Sequence, residues 1–278
     1  MTNKPKQQHL NRAKQVINDE YYTQLSDIET EFKNYDFSGK SVYSPCDDQN
    51  SNFVKYFLDN FEKLQLKEFA YSCYESHFIK VFDGTNTKLI PLDVSGDILE
   101  PSNLKNYDKF DIIVTNPPFS LINKWVPYLI ENTRVDLLIL TPLTFYKNKN
   151  IIGFFVNDTL NYGYNYVSHF TNTDKTVSCY WITTLPINWS KKKKHIFDKA
   201  QELDNCPNVF NVDSYKDIRE DDYRMLAVPI SYLPDIFNKE DYNLLGTTNS
   251  IYGVDPILNG KRLFARIVIQ KRRKNENQ

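Results

Sequence analysis

An asparagine, two prolines and an aromatic residue follow one another in the segment FDIIVTNPPFS, residues 110–120. The side-chain oxygen of Asn116 and the carbonyl oxygen of Pro117 can accept both hydrogens of an exocyclic amine. Pro117 and Pro118 fix φ and so hold these acceptors in place, while the ring of Phe119 can stack on a flat base. This group predicts direct transfer of a substituent to a weakly nucleophilic nitrogen. The alternative is a plain strand-to-helix turn, where Asn and Pro are common.

The segments around this motif alternate between apolar strands and amphipathic helices. Buried strands are predicted at residues 41–45, 68–74, 110–115 and 135–141, helices within residues 16–35, 53–66 and 121–130, and a hairpin with the turn DGTN at 78–92. Such alternation indicates an α/β fold with a parallel sheet that carries helices on both faces. Ligands of these sheets bind beyond the carboxyl ends of the strands, where the NPPF motif is predicted to lie.

The composition is that of an ordinary globular protein, with 41% hydrophobic and 25% charged residues. Its net charge of −1 neither supports nor excludes binding to nucleic acid. The four cysteines form no CxxC pair, so neither a zinc module nor a disulfide framework is indicated. The N-terminus lacks the apolar core of a signal peptide, and no segment is apolar over a membrane-spanning length. We therefore expect a cytoplasmic protein with reduced thiols.

Six segments resemble, in order along the chain, one family of enzymes. They are DEYYTQLSDIETE, VYSPCDDQNSNFVKYF, FDIIVTNPPFSL, WITTL, MLAVPISYL and ILNGKRLFARI, and the similarity extends from about residue 17 to 270. The family is that of the EcoRI-type adenine-specific (N6) DNA methyltransferases. The resemblance implies methyl transfer from S-adenosylmethionine (AdoMet) to the N6 of a flipped-out adenine in double-stranded DNA. It also implies a Rossmann-like sheet with a smaller, irregular C-terminal DNA-recognition lobe, a monomer, and no metal.

The resemblance assigns several residues to the AdoMet site. Tyr22 and Thr23 in DEYYT match the family motif that precedes the first strand. Cys46, Asp47 and Asp48 follow that strand, where related enzymes hold the methionine part of AdoMet. The segment CDDQNS lacks the glycines that are common there, so either aspartate remains a candidate for the AdoMet ammonium group. The alternative is that both only cap the next helix.

Three further residues are expected to contact AdoMet, besides Asn116 itself. Cys73 and Tyr74 end the second predicted strand, where enzymes of related fold place a residue that contacts the ribose or adenine of AdoMet. Asp97 in SGDIL matches the aspartate that accepts from the adenine amino group. The alternative interpretation is that Asp97 is only a turn residue beside Gly96.

Candidates for DNA contacts lie in the second half of the chain: Trp181, Lys191, Lys192, Lys193, Lys194 and Arg262. Trp181 lies in SCYWITTL, which resembles a family segment, but a core tryptophan is an open alternative. The lysine run is typical of a solvated loop. If these lysines face phosphates instead, they add affinity and salt dependence without sequence information.

The sequence is divided where the alternating pattern changes. We predict a basic N-terminal arm (1–16), an AdoMet-binding catalytic domain (17–145), a target-recognition lobe (146–255) and a C-terminal strand with a basic tail (256–278). Two rival functions remain open. One is methylation of protein glutamine or of guanine in ribosomal RNA, which uses the same motif. The other is a DNA-binding relative that has lost catalysis.

Overall fold

The computed structural model describes residues 21–188, 196–197, 200–213, 216–218, 223–230 and 241–273. The chain divides into two compact units, one within residues 1–142 and 165–185 and the other within 143–164 and 186–278. Residues 165–185, which the sequence analysis assigns to the second lobe, thus belong to the first unit. The remaining predicted boundaries, and the predicted role of each part, stay predictions.

Among its described residues, the first unit contains a mixed sheet and four α-helices. Its strands are β1 (Ser41–Ser44), β2 (Glu68–Tyr71), β3 (Phe78–Phe82), β4 (Thr87–Pro91), β5 (Ile112–Thr115), β6 (Asp136–Pro142), β7 (Asn161–Val167, which begins in a segment of the second unit) and β8 (Cys179–Thr183). Its helices are α1 (Leu25–Phe32), α2 (Asn52–Asp59), α3 (Leu104–Tyr107) and α4 (Phe119–Asn132), and a 3₁₀ turn covers Pro101–Asn103. The strands and helices predicted around the NPPF motif are confirmed, most of them with shorter bounds; α4 is longer than predicted, and β6 is shifted by one residue.

The eight strands lie in the order β4-β3-β2-β1-β5-β6-β8-β7. The four central strands β2, β1, β5 and β6 are parallel, but β3 is antiparallel to β2 and β8 is antiparallel to β6. The prediction of a parallel sheet is therefore correct only for the centre. Strand β3 follows β2 after a short loop, and a connection of that length permits only antiparallel pairing. The DGTN hairpin is confirmed, with Phe82 paired to Thr87.

Helices pack on both faces of the central strands. Val42 of β1 belongs to a buried cluster with Phe32 of α1 and Phe57 of α2. The next residue of β1, Tyr43, points to the opposite face, because side chains alternate along a strand. There its ring lies 6.0 Å from the ring of Tyr107 in α3, which in turn contacts Trp125 of α4 at 6.1 Å. The sheet is thus a rigid support for the residues that follow its strands.

In the part of the second unit that the structure describes, there are a five-stranded sheet and two short helices. Its strands are β9 (Ile196–Phe197), β10 (Gln201–Leu203), β11 (Cys206–Asn211), β12 (Lys216–Ile218), β13 (Met225–Pro229), β14 (Tyr242–Thr247), β15 (Ile257–Leu258), β16 (Lys261–Arg262) and β17 (Arg266–Lys271); its helices are α5 (Lys149–Val156) and α6 (Thr248–Tyr252), and a 3₁₀ turn covers Leu143–Lys147. The sheet runs β10-β11-β13-β17-β14, and strands β9 with β12 and β15 with β16 form separate pairs. Within the described ranges, no helix has the length and hydropathy to cross a membrane.

Candidate active site

A cavity of about 730 Å³ opens in the first unit where β1, β2 and β5 end. Residues 45–48 follow β1, residues 73–75 follow β2, and Asn116 follows β5, and all of them line the cavity. Strand β1 lies between β2 and β5. The chain therefore continues from β1 to β2 on one side and later adds β5 on the other side of β1. This reversal is the usual ligand position of an open α/β sheet, and the volume lies within the range of small-molecule sites.

Asn116 directly follows β5, and its side-chain oxygen has no partner among the described residues. Its Nδ2 donates to the carbonyl oxygen of Tyr21 and, at 3.2 Å, to Oγ1 of Thr23. Its Oδ1 is buried, and no donor among the described residues reaches it. Both hydrogens of the amide are therefore used, and its acceptor is oriented and available. A buried polar atom in this state calls for a partner, and at a cavity wall a bound ligand can supply it.

The segment of Tyr21, Tyr22 and Thr23 is fixed by backbone contacts. The Tyr22 N–H donates to Oδ1 of Asn172 at 2.9 Å, and the Asn52 side chain donates to the Thr23 carbonyl at 2.8 Å. Thr23 is 3% exposed, whereas Tyr22 is 57% exposed. All three residues line the cavity. The partners of Asn116 are therefore held by contacts distant in sequence, not by local structure.

The ring of Phe119 already has an aromatic neighbour. It stacks on Tyr21 with ring centroids 4.9 Å apart and planes inclined by 20°. Tyr21 also contacts the ring of Phe170 at 5.1 Å. A base that stacks on Phe119 must therefore use the other face of the ring or replace Tyr21.

Asp47 and Asp48 both line the cavity but are held differently. Asp47 is buried, and its two oxygens accept from the hydroxyls of Ser51 at 2.6 Å and Thr115 at 2.8 Å. It thereby joins the end of β1 to the start of α2 and to the end of β5. Asp48 is exposed and accepts from the backbone and side-chain nitrogens of Asn50. Asp47 thus has a structural role, and Asp48 is the carboxylate more open to a ligand.

The loop before Asp97 packs tightly against the end of β2. A Cβ atom added at Gly96 would lie 1.9 Å from the carbonyl oxygen of Cys73, closer than any real contact. Asp97 is 8% exposed, and its carboxylate accepts from the Leu99 N–H at 2.9 Å. The Asn103 side chain donates to the Asp97 carbonyl at 2.9 Å. This turn gives Asp97 a fixed place in the cavity wall, so the turn and the ligand-contact interpretations are compatible.

Carboxylates outnumber cationic side chains in the cavity wall. Among the described residues that line it, Asp47, Asp48, Glu75 and Asp97 are acidic and Lys55 is basic. Such a wall favours a cationic ligand.

Burial is the main reason why the pKa of the Tyr43 hydroxyl in β1 lies well above its usual range, so this tyrosine is neutral and is no candidate for a base.

The structure brings most of the predicted AdoMet and catalytic residues to one cavity. Its wall includes Tyr22, Thr23, Cys46, Asp47, Asp48, Cys73, Tyr74, Asp97, Asn116 and Pro118. Pro117 and Phe119 complete the motif but do not line the wall. Sequence reasoning missed Tyr21 and Gly96, although Gly96 beside Asp97 is a local signal of a close approach.

The residues predicted to contact DNA differ in what the structure shows of them. Trp181 is 0% exposed and packs against Phe32 and Phe53, so of its two interpretations the structure supports the core tryptophan. Stacking on DNA is wrong for this side chain, because its ring lies inside the core. Lys191, Lys192, Lys193 and Lys194 lie outside the described residues. Arg262 is exposed and forms an ion pair with Asp255, and its DNA contact stays a prediction.

The known proteins to which this chain is similar are methyltransferases. The family model described as adenine-specific methyltransferase EcoRI matches residues 9–89 and 78–177. Type II methyltransferase M.EcoRI of Escherichia coli is 30% identical over 316 residues, which cover 95% of this chain and 96% of that protein. Type II methyltransferases M.MgeORF184P of Mycoplasma genitalium and M.MpnI of Mycoplasma pneumoniae are each 28% identical, with 95% of this chain and 98% of each relative covered. No solved structure matches the chain significantly.

Proposed function

Because the chain belongs to the EcoRI family of adenine-specific methyltransferases, we propose that it methylates the N6 of an adenine flipped out of double-stranded DNA, with AdoMet as methyl donor. As a member it is an enzyme, a DNA methyltransferase of the Type II, restriction-modification kind. The central observation is the Oδ1 of Asn116 at the cavity wall, which is buried and has no hydrogen-bond partner in the described ranges of the chain. An exocyclic amine supplies the donor that this atom lacks.

The residues present fit AdoMet. The cavity of about 730 Å³ is large enough for a nucleoside joined to an amino acid, and its carboxylates suit a ligand with ammonium and sulfonium charges. AdoMet, when bound, supplies an electrophilic methyl group. We assign Asp48 to the ammonium group and Asp97 to the adenine amino group. The order of β2, β1 and β5 supports a Rossmann-like arrangement of this part of the sheet.

The NPPF residues prepare the target amine. Asn116 Oδ1 and the carbonyl oxygen of Pro117 accept its two hydrogens, and this draws the nitrogen lone pair out of conjugation with the base. Pro117 and Pro118 keep the acceptors in place, so little reorganisation is needed at the moment of transfer. The ring of Phe119 covers one face of the base. The base must leave the helix first, because its amine is otherwise engaged in pairing.

We assign DNA recognition to the second unit of a monomeric enzyme. The test of the whole proposal is transfer of a labelled methyl group from AdoMet to plasmid DNA, ribosomal RNA and protein, compared side by side. Labelling of DNA alone, with N6-methyladenine after digestion, is the expected result. Labelling of RNA or protein alone would support the first rival function, and DNA binding without AdoMet binding or methyl transfer would support an inactive relative. Long-read sequencing of DNA from cells that express the protein would then give the recognition sequence.

A pair of isosteric changes separates the two adjacent aspartates. We expect Asp48→Asn to weaken AdoMet binding about tenfold, the effect of one charge-assisted hydrogen bond, with little change in Tm. Asp47→Asn should instead lower Tm, because it weakens the bonds from the Ser51 and Thr115 hydroxyls. Calorimetric titration with S-adenosylhomocysteine and thermal unfolding measure the two effects. The reverse pattern would assign the ammonium group to Asp47.

Phe264 is a second candidate for DNA contact, which sequence reasoning missed. Among the described residues it is the most exposed large apolar side chain, at 86%. Its loop is fixed, since Leu263 N–H donates to the Pro256 carbonyl at 2.8 Å and Arg266 donates to the Phe264 carbonyl at 3.3 Å. An exposed ring on this loop, three residues after the exposed Lys261, can stack on or between bases.

We therefore expect Phe264→Ala to raise the KM for DNA about tenfold while AdoMet affinity stays unchanged. Fluorescence anisotropy with a labelled duplex measures the same effect without catalysis. Leu89→Ala, which removes an apolar side chain that is 56% exposed in the first unit, is the control. Equal DNA affinity of the Phe264→Ala variant and the wild type would exclude the contact.

A further inference from the structure

We propose that Thr23 is a positioning residue that restrains the Asn116 amide in its observed orientation through a second hydrogen bond, rather than a contact for AdoMet. The inference deepens the proposed function and rests on it. The Asn116 Nδ2 lies 3.2 Å from Thr23 Oγ1 and also donates to the carbonyl of Tyr21. These two contacts use both hydrogens of the amide nitrogen, so Oδ1 must face away from the segment.

The Tyr21 carbonyl favours the observed orientation of the Asn116 amide over the flipped one. A carbonyl oxygen only accepts hydrogen bonds, so a flipped amide would place Asn116 Oδ1 against it without a donor. The Thr23 hydroxyl can donate as well as accept, so the choice of orientation comes from Tyr21. In the observed orientation Thr23 accepts a second bond from the amide nitrogen and restrains its rotation. Loss of this bond would leave the nitrogen held by Tyr21 alone. The amide would then rotate more freely, and its oxygen would meet the target amine less often.

The backbone of Thr23 is anchored independently of its side chain. Its carbonyl accepts from Asn52 at 2.8 Å, and its backbone forms a β-bridge to Phe170. Thr23 is 3% exposed, so a valine of the same shape fits the same space. Thr23→Val therefore removes the acceptor and leaves the segment in place, which separates positioning from folding.

The kinetic test compares Thr23→Val with Thr23→Ser. We expect Thr23→Val to lower kcat on the order of tenfold, the effect of one hydrogen bond, while the KM for AdoMet and the affinity for S-adenosylhomocysteine change less than about twofold. Thr23→Ser keeps the acceptor and should recover most of kcat. Thr184→Val is the control, because this change also removes a hydroxyl hydrogen bond. The bond joins Thr184 to Asp136 at 2.8 Å and lies away from the cavity. It should lower Tm without changing kcat.

A second measurement needs neither AdoMet nor catalysis. In ¹⁵N-asparagine-labelled protein, the Asn116 side-chain signals are identified as those absent from Asn116→Ala. One Asn116 amide hydrogen should exchange with solvent on the order of tenfold faster in Thr23→Val than in the wild type or in Thr23→Ser. Unchanged exchange overturns the inference, as does a loss of AdoMet affinity that matches the loss of kcat. If the wild type fails to methylate DNA, the proposed function fails, and the exchange measurement still decides the role of Thr23.

Discussion

We expect Asn116→Ala to lower methyl transfer to DNA by a factor on the order of 10² to 10³, the usual effect of removing one preorganised electrostatic contact at a reacting centre. The change deletes the buried oxygen that has no partner among the described residues. Affinity for S-adenosylhomocysteine should change little, because the lost atom acts on the target amine. Single-turnover transfer of a labelled methyl group to duplex DNA measures the rate.

Asn116→Asp is the matched control, because it keeps an acceptor oxygen at the same place. Its second oxygen replaces the nitrogen that donates to the Tyr21 carbonyl, so the two oxygens repel each other. We therefore expect a rate between those of Asn116→Ala and the wild type. Thermal unfolding of all three proteins shows whether the fold is retained. Transfer by Asn116→Ala at more than half the wild-type rate would refute the catalytic role of Asn116.

Gly96→Ala is expected to have the largest effect on the cofactor cavity. The added Cβ would lie 1.9 Å from the oxygen and 2.8 Å from the carbon of the Cys73 carbonyl. These are backbone atoms, so the loop and the end of β2 must move apart, at a cost of about 1–3 kcal/mol or more. Cys73 and Asp97 both belong to the cavity wall and would separate. We expect a Tm several degrees lower and AdoMet affinity weaker by at least about tenfold.

Gly153→Ala is the control for this change. Gly153 lies inside α5, and a Cβ there would meet no atom within 4 Å. Because alanine favours a helix over glycine, this variant should be as stable as the wild type or more stable by up to about 1 kcal/mol. Calorimetric titration and thermal unfolding apply to both variants. Wild-type affinity in Gly96→Ala would show that the loop is not part of the cofactor site.

The local pattern of the sequence was sufficient to predict the catalytic strand. FDIIVT is almost wholly apolar and ends at an Asn-Pro pair, so both the strand and its end follow from neighbouring residues. The DGTN hairpin was predictable for the same reason. The family resemblance, and not periodicity, supplied the cofactor residues around the cavity.

Contacts between distant residues were beyond such reasoning. The partner that orients Asn116 is Tyr21, 95 residues earlier, and no local pattern relates the two. Asp47 and Asp48 are equivalent in the sequence, and only the hydroxyls of Ser51 and Thr115 distinguish them. Trp181 likewise needed its neighbours in the core to decide between the two interpretations. In each case tertiary packing, rather than propensity, determines the role.

The path of the chain bears on how this enzyme could exchange specificity with its relatives. The chain passes between the two units after residues 142, 164 and 185, and the second of these passages lies inside β7. Residues 165–185 include β8, which pairs with β6 along five residues from Leu138 to Pro142. A graft of everything after residue 142 would thus replace a strand of the catalytic sheet as well. If the second unit reads the target sequence, as proposed, its transplantation requires three junctions, and recombination at a single point is a poor route to a new target sequence.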